Sequence, residues 1–544
     1  MHRRKLWLLL GAALAALVFV ASGSASQQSS SAGTTITFGA EQGGGSDWCL
    51  NLFLDVDCAE FWNVVFETPV IRGIFILTPA FQYKPDLISK YVVKQNPMRI
   101  TLYIRKNARW SDGVPVGKAD FVFTWKEKLA KGLINVHTDP TFYQDIKSIT
   151  GSTKVITIRM KRPFADWKDY FGYVLPAHVL RGSDLSTVWN TCICNPHNGK
   201  PIGDGPFLMS SYSPTSGITL VRNARGWYGK KAKLQSIRFV YLTNTNSEIQ
   251  AMRGGEVDAI YPQPQLALAD LKNQSGLRIQ THKGTIVEHL EIELGPKGNP
   301  LAKNAWVRQA LATSINRAQT VRSLFGTLNP SLVPLNSVMY VPNQRGLYKA
   351  HWSKWNYNKS KVNSIMTKHG CSKGGDGFWR CSGTKMSFQF ESTAGNQLRE
   401  LAFTFMQKQA ADAGFDLIHA FKPAGTLFGT DLPNHNFDIA MFAFLFSADP
   451  GTRTSLLSCN GAANYTEYCN RTVSREFVRQ STILNPRKRA ALFNKMDAQI
   501  SNDVPWVPLY QKPTYFVYKS DIRGMIDNPN AQGPTWNVEN WSRG

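Results

Sequence analysis

The chain of 544 residues is longer than one hydrophobic core usually supports, so we expect two or more lobes. Hydrophobic residues make up 43 % and charged residues 18 %, a composition that excludes an intrinsically disordered chain. Lys and Arg outnumber Asp and Glu by 62 to 38, but this positive charge is dispersed along the sequence. The dispersion argues against a nucleic-acid-binding surface, which needs its basic residues in runs or on one face.

Residues 1–25 have the pattern of a signal peptide. A basic start at Arg3, Arg4 and Lys5 is followed by the apolar segment Leu6 to Val20 and then by small residues. That apolar segment is short for a membrane span, which takes about 20 residues. Residues 26–33 are polar and of low complexity, as in a flexible linker. The sequence therefore predicts an exported protein.

The segment from Arg99 to Lys128 is the clearest local pattern in the chain. Ile100, Leu102 and Ile104 alternate with polar residues, which predicts a half-buried strand. The run WSDGVP from Trp110 then predicts a turn. Apolar residues at helical spacing follow, from Ala119 to Leu129. We interpret this strand, turn and helix as one structural unit.

The same segment resembles a signature of the extracellular solute-binding proteins of the peptide/nickel type, family 5. The matching residues are WSDG-P from Trp110 and A-DFVFTW from Ala119 to Trp125. Two later segments are also similar to the family pattern: PIGDGPF from Pro201 and VRQALATSINR from Val307. The glycine-rich Gly203-Asp204-Gly205 could suggest a phosphate-binding loop, but it lacks the Lys-Ser/Thr of such a loop and is followed by Pro206, so we interpret it as a backbone turn.

The resemblance implies an α/β fold of the periplasmic-binding-protein type. In the large peptide-binding subclass of type II, two lobes of mixed sheets flanked by helices are joined by a two-segment hinge. The expected hinge segments are His289–Leu294 and Leu509–Tyr518. The expected organisation is lobe I over 34–288, with an extra subdomain at about 71–199, then lobe II over 289–512 and a return to lobe I over 513–544.

The resemblance also implies a function. Such proteins capture an oligopeptide or a similar solute between closing lobes and deliver it to the permease subunits of an ABC importer, so the chain would reach the membrane only through the permease. It would act in the periplasm or at the outer face of the cytoplasmic membrane. Because the first cysteine is Cys49, no lipid-anchor cysteine follows the leader.

The expected solute site centres on the segment from Ala443 to Pro450. In peptide-binding relatives an aromatic residue of this strand contacts the peptide, and an acid three positions later holds its N-terminal ammonium. Phe444 takes the aromatic position, but Ser447 stands where the acid would be, with Asp449 two residues on. This departure favours a non-peptide solute, such as an oligosaccharide, an opine or a metal chelate, as the alternative. The candidate ligand-binding residues are Glu41, Trp48, Phe444, Leu445, Phe446, Ser447, Asp449 and Trp536, and Phe444 and Phe446 are equally well explained as core.

The eight cysteines fit an exported chain with disulfides. Three closely spaced pairs stand out: Cys49 with Cys58, Cys371 with Cys381, and Cys459 with Cys469. Cys192 and Cys194 precede His197, and three such ligands would suit zinc in a secreted metal-dependent hydrolase. We favour disulfide or loop cysteines over this metal site. No catalytic constellation, resident metal or cofactor is predicted, so the chain is not expected to be an enzyme.

Overall fold

A computed structural model describes residues 34–41, 50–52, 61–129, 143–530 and 532–544. The predicted leader and linker, Trp48, and the pair Cys49 and Cys58 lie outside these described residues.

The strands are, in chain order, β1 Thr35–Glu41, β2 Phe75–Leu77, β3 Tyr83–Pro85, β4 Ile88–Gln95, β5 Met98–Ile104, β6 Ile146–Gly151, β7 Val155–Met160, β8 Phe207–Ser213, β9 Gly217–Arg222, β10 Ser236–Leu242, β11 Ala259–Ile260, β12 Leu277–Gln280, β13 Lys283–Ile292, β14 Ser372–Lys373, β15 Trp379–Cys381, β16 Thr384–Lys385, β17 Ser387–Glu391, β18 Asp416–His419, β19 Ile439–Leu445, β20 Trp506–Pro513, β21 Phe516–Lys519, β22 Ile522–Arg523 and β23 Ser542–Arg543.

The α-helices span Phe61–Glu67, Lys118–Leu129, Ala177–Leu180, Thr245–Gly254, Ala305–Ser314, Arg317–Phe325, Lys359–Lys368, Gln397–Ala413, Ala424–Thr426, Thr454–Leu457, Arg471–Gln480 and Pro486–Asp503. Single turns of 3₁₀ or π helix span Trp167–Asp169, Leu266–Asn273, Pro300–Lys303, His351–Trp355, Leu427–Asp431, Pro450–Arg453 and Pro534–Asn540.

The first lobe is built on a seven-stranded mixed sheet in the order β12-β21-β11-β1-β10-β9-β8. Strand β1 lies inside this sheet, parallel to both β10 and β11. Ile36 and Phe38 on β1 are fully buried, as the alternation of TITFGA predicts. Because the sheet is covered, the rings of Phe38, Phe516 and Trp541 pack together from distant parts of the sequence. The C-terminal residues therefore return to this lobe.

A second sheet of the same lobe, in the order β4-β5-β7-β6, is antiparallel and contains the signature segment. On β5 the side chains of Ile100, Leu102 and Ile104 are buried and the intervening residues are half-exposed, which confirms the predicted strand. Helix Lys118–Leu129 follows. Its Asp120 carboxylate accepts hydrogen bonds from the backbone N–H groups of Gly117, at 2.8 Å, and Ala177, at 2.9 Å. This unit is thus scaffold, as the sequence predicts.

The second lobe is built on the five-stranded sheet β18-β17-β19-β13-β20. Strands β17 and β18 are parallel and are connected through helix Gln397–Ala413, so the three elements form a βαβ unit. A continuous hydrophobic core surrounds this sheet and extends to helix Thr245–Gly254 of the first lobe.

The chain passes between the lobes at two adjacent points, 281–282 and 514–515. The two crossings are hydrogen-bonded to each other, since Thr514 N donates to His282 O at 3.0 Å. The expected segment Leu509–Tyr518 contains the second crossing, whereas His289–Leu294 lies in and just after β13, inside the second sheet. That expectation was wrong because alternation identifies a strand without showing where it begins or which sheet it joins.

The cysteine pairs of the described residues follow the spacing in the sequence. Cys371 lies against Cys381 and Cys459 against Cys469, with Cα–Cα separations of 4.3 and 4.4 Å, and both pairs are at bonding distance. Cys192 and Cys194 are paired with each other. This pairing favours the disulfide alternative for Cys192 and Cys194 over the zinc site with His197.

Within the described parts of the chain, no helix is long and apolar enough to cross a membrane.

Candidate functional site

A cavity of about 600 Å³ lies between the two large sheets, next to the interlobe crossings. Its volume is within the range of small-molecule sites, about 300–1,000 Å³. The first lobe supplies Trp62 and the segment 261–264, the second lobe supplies Gly284 and the turn 393–396, and the second crossing supplies Thr514. Both lobes therefore contact whatever occupies the cavity.

The first-lobe wall includes Glu41, at the end of β1. Its Oε1 accepts a hydrogen bond from the backbone N–H of Gln263 at 2.6 Å, and its Oε2 accepts one from the hydroxyl of Thr245. Burial raises the pKa of Glu41, although these two hydrogen bonds and Lys512 oppose the rise. The carboxylate thus already has hydrogen-bond partners in the first lobe, and it holds those partners in place.

The second-lobe wall is the amino end of helix Gln397–Ala413. Asn396 caps this helix by accepting a hydrogen bond from the backbone N–H of Arg399 at 3.1 Å. Residues 394–396 line the cavity, so the partial positive charge of the helix end faces it. Arg399 itself also lines the cavity.

Three buried charges meet at the floor of the cavity, where Arg399 and Lys512 line it and Glu288 lies behind them. The carboxylate of Glu288, on β13, lies 2.8 Å from Arg399 Nε and 3.0 Å from Lys512 Nζ. Burial alone would raise the pKa of Glu288, but the two cations lower it to about 2. Glu288 is therefore ionised at neutral pH, and Arg399 with Lys512 leaves this cluster of three one positive charge in excess, part of which Glu41 offsets through its interaction with Lys512.

The guanidinium of Arg399 has further donors. Its Nη1 donates to the hydroxyl of Thr393 at 2.8 Å, while Nε is used by Glu288. Arginine has five N–H donors in a fixed fork, so these two contacts leave donor capacity on the side that lines the cavity. A planar carboxylate is the partner that such a fork fits best.

Two of the predicted ligand-binding residues lie in the cavity wall. Glu41 contributes from the first lobe and Leu445, at the end of β19, from the second. Trp48 is outside the described residues.

Phe444 and Phe446 are placed in packing positions, not in the cavity wall. The ring of Phe444 stacks on that of Trp506, with centroids 5.6 Å apart, and lies 5.2 Å from the ring of His289. Phe446 is buried beneath the guanidinium of Arg453, which lies 3.5 Å from its ring centroid. Core packing, the alternative reading of these two residues, accounts for both.

Ser447 and Asp449 also face away from the cavity. The hydroxyl of Ser447 donates to the carbonyl of Asp449 at 2.6 Å. The carboxylate of Asp449 caps a short helix by accepting from Gly451 N at 2.8 Å, and it pairs with Arg489. In this structure Asp449 thus does not replace the missing acid that would hold an ammonium.

Trp536 and Trp541 lie in the first lobe away from the cavity. The indole N–H of Trp536 donates to the carbonyl of Ile526 at 2.9 Å, and Trp541 is fully buried. The sequence suggested both as residues that line the solute site, but the indole of Trp536 is hydrogen-bonded within the first lobe and Trp541 lies in its core.

Sequence reasoning missed the charged floor altogether. Glu288, Arg399 and Lys512 belong to three elements that are remote in sequence, and no local motif joins them. The one available signal is Glu288 itself, a charged residue that shares one face of β13 with apolar residues.

The family model for bacterial extracellular solute-binding proteins, family 5 middle, matches residues 82–465. The chain is similar to the oligopeptide-binding protein OppA of Bacillus subtilis, with 22 % identity over 84 % of each chain.

Solved structures show the same fold. The periplasmic EDTA-binding protein EppA has a TM-score of 0.83 and 22 % identity, covering 94 % of this chain and 96 % of its own. The oligopeptide-binding protein AppA of Bacillus subtilis, solved with a nonapeptide, has a TM-score of 0.77 and 18 % identity, covering 94 % and 99 %. The two-lobe architecture predicted from the sequence is therefore confirmed.

Proposed function

Because the chain belongs to the bacterial extracellular solute-binding proteins of family 5, we propose that it captures a carboxylate-bearing solute in the cavity between its lobes. It is then the solute-binding component of an ABC importer and delivers that solute to the permease. Oligopeptides, which its curated relative OppA is named for, are the first class to test. The proposal includes export of the chain and assigns it no catalytic step.

The excess positive charge of the cavity floor carries this proposal. Arg399 and Lys512 share one carboxylate, Glu288. The amino end of a helix adds partial positive charge to the same side of the cavity. In a buried site a charge-assisted pair is stronger than at the surface, so a solute carboxylate gains from both the fork and the helix end. A peptide supplies such a group at its C-terminus.

A non-peptide polycarboxylate is the second candidate. Glu41 is already hydrogen-bonded within its lobe, Glu288 is paired, and Asp449 lies away from the cavity. Of the predicted residues that the structure describes, none offers an unpaired carboxylate to an α-ammonium group. EDTA, which names one of the structurally similar proteins, is a solute with several carboxylates and no such ammonium.

We place the hinge at 281–282 and 514–515. Closure about these two segments would bring the Glu41 wall onto the Arg399 wall, and a solute that contacts both would favour the closed state. The residues we propose as solute contacts are Glu41, Leu445, Arg399 and Lys512.

Mass spectrometry of solute released from the purified protein is the primary test. Titration calorimetry should then compare a peptide pool, the same peptides with amidated C-termini, and a polycarboxylate. We expect binding that requires the free carboxylate and that weakens at least tenfold in Arg399→Gln, with Arg479→Gln, an exposed arginine, as the matched control. Equal binding of free and amidated peptides, or of wild type and Arg399→Gln, would contradict the carboxylate proposal.

A further inference from the structure

A second cluster of charged side chains lies in the second lobe, at the end of β13 remote from the cavity. Glu293 directly follows β13, His435 precedes β19, and Glu467 lies in the loop between Cys459 and Cys469. One ligand atom from each of the three residues lies within 4.8 Å of the other two. Ile286 of β13 lines the cavity, and Ile292 at the other end of the strand is about 20 Å away.

Glu293 gives the cluster its unusual character. Its side chain is 0 % exposed, yet Oε2 has no hydrogen-bond donor and lies 3.7 Å from Nδ1 of His435. Its other oxygen, Oε1, accepts from the backbone N–H of Gly295 at 2.6 Å. A buried carboxylate oxygen without a donor is costly unless a cation or a proton satisfies it.

The surrounding backbone leaves room for these side chains. A Cβ at Gly295 would overlap the carboxylate of Glu467, and one at Gly298 would lie 2.6 Å from Cγ of Glu293. Leu294 N donates to Thr466 O at 3.0 Å, and Glu293 N donates to Asp438 O at 3.0 Å. The three segments that carry the cluster are therefore held together by backbone hydrogen bonds, independently of the side chains.

We propose that Glu293, His435 and Glu467 form a site for a divalent transition-metal cation of the zinc type. Two carboxylates and one imidazole are ligands that suit Zn²⁺, and a water or a carbonyl oxygen can complete a four-ligand shell. The carbonyl of Tyr465, which is hydrogen-bonded to His435 Nδ1 at 2.9 Å, is one such oxygen. The cation would satisfy Glu293 Oε2 and would join three segments of the lobe.

The electrostatics of the cluster agree with this assignment. The ligand atoms of Glu293 and Glu467 lie within 4.8 Å of each other, so the two carboxylates repel each other when both are ionised. A cation bound between them removes that repulsion. The site is separate from the solute cavity, so cation binding would stabilise the lobe without contacting the solute.

Equilibrium dialysis of tag-free protein against ZnCl₂, with elemental analysis, tests the proposal. The protein is first stripped on a chelating resin, and folding of every variant is checked by circular dichroism. We expect one Zn²⁺ per chain in the wild type, binding that is tighter at pH 8 than at pH 6, and a higher melting temperature with the metal. Glu467→Gln and His435→Asn should lose the metal and the shift. Asn tolerates the left-handed backbone of His435, which has φ 57°.

His419→Asn is the matched control, because His419 pairs with Glu400 at the surface with no third ligand near it in the described structure. The His419→Asn variant should bind Zn²⁺ as the wild type does. A folded wild-type protein without stoichiometric Zn²⁺ would overturn the proposal, and so would full binding in both Glu467→Gln and His435→Asn. Because solute binding is measured separately, this failure would leave the carboxylate proposal intact.

Discussion

The guanidinium of Arg489, in the second lobe, lies 2.5 Å from the carboxylate of Asp166, in the first lobe. The same guanidinium pairs with Asp449, and the backbone N–H of Ala165 donates to Ser481 O at 2.7 Å beside it. Asp166 and Arg489 are both buried, at 3 % and 6 % exposure. These contacts bridge the two lobes, and we expect them to stabilise the arrangement in which the lobes touch.

Arg489→Gln should open the lobes. The substitution removes the guanidinium that the buried Asp166 and the half-buried Asp449 share, and removing one partner of a buried pair costs about 3–5 kcal/mol. Small-angle X-ray scattering of the solute-free variant should give a larger radius of gyration than the wild type.

Two further variants make this result specific. Arg479→Gln removes an arginine that is 67 % exposed on the surface, and its radius should match the wild type. Asp166→Asn combined with Arg489→Gln replaces the buried carboxyl group that faces Asp449 with a neutral amide and should recover part of the compact form. The same radius for Arg489→Gln and the wild type would contradict the bridge.

Asp169, near the same bridge, should make the stability fall as pH rises. Burial, together with the nearby Asp449, raises the pKa of Asp169 to about 7, although the hydrogen bond from Tyr83 and the cations Arg489 and Lys168 oppose the rise. The folded protein therefore holds a proton that the unfolded chain releases above about pH 4. The free energy of unfolding should decrease between about pH 4 and about pH 7 and then level off.

Urea unfolding of the wild type and Asp169→Asn across this pH range measures that effect. The variant should show a shallower decrease, not a flat line, because burial also raises the pKa of Asp497 to about 7. Identical pH profiles of the two proteins would exclude a contribution from Asp169.

Glu288 should produce the opposite behaviour in acid. Its pKa is lowered to about 2, so the stability that its ion pairs contribute is present above about pH 4.3 and is lost as the pH falls toward 2. Glu288→Gln leaves Arg399 and Lys512 buried without a counter-charge, at a cost of about 3–5 kcal/mol. Urea titrations at neutral and acid pH should show a less stable variant with a weaker acid dependence.

Glu400→Gln is the control for that charge change, because Glu400 is an exposed carboxylate that pairs with His419. A surface pair is worth about 0–1 kcal/mol, so this variant should unfold close to the wild type. If Glu288→Gln were no less stable than Glu400→Gln, the buried ion cluster would not have the role we assign to it.

Gly205→Ala should destabilise the first lobe. A Cβ at this position would overlap the carbonyl oxygen of Pro69, and the adjacent Asp204 is fixed by its hydrogen bond from Arg72 N at 2.8 Å. Overpacking of this kind costs about 1–3 kcal/mol. Thermal unfolding should show a lower midpoint than Gly172→Ala, where a Cβ meets open space. Equal midpoints would mean that the backbone at Gly205 relaxes freely.

Local sequence was sufficient for the scaffold. The alternation of Ile100, Leu102 and Ile104 predicts β5, and the turn at Gly203-Asp204-Gly205 predicts a backbone role that the close approach to Pro69 explains. Such features depend on residues within one turn or one strand, whose periodicity is visible in the chain itself. The family motifs are also short contiguous segments, so the resemblance to the family can be recognised from the sequence alone.

The hinge and the solute site needed the tertiary structure. The chain leaves the first sheet at 281–282, although the alternating pattern around His289 is equally compatible with either lobe. Phe444 and Asp449 were central to the predicted site. In the structure Phe444 packs on a neighbouring strand and Asp449 pairs with Arg489, so neither side chain lines the cavity.

The sequence by itself therefore determined the fold class, the strand and helix periodicities and the paired spacing of cysteines such as Cys371 and Cys381. Only the tertiary structure decided that Glu288, Arg399 and Lys512 meet at the cavity and that Asp166 reaches Arg489 across the lobes. The physical reason is range: periodicity and turns are set by neighbours along the chain. A charged site between two lobes depends on how distant segments pack, and on which buried charges that packing brings within a few ångströms.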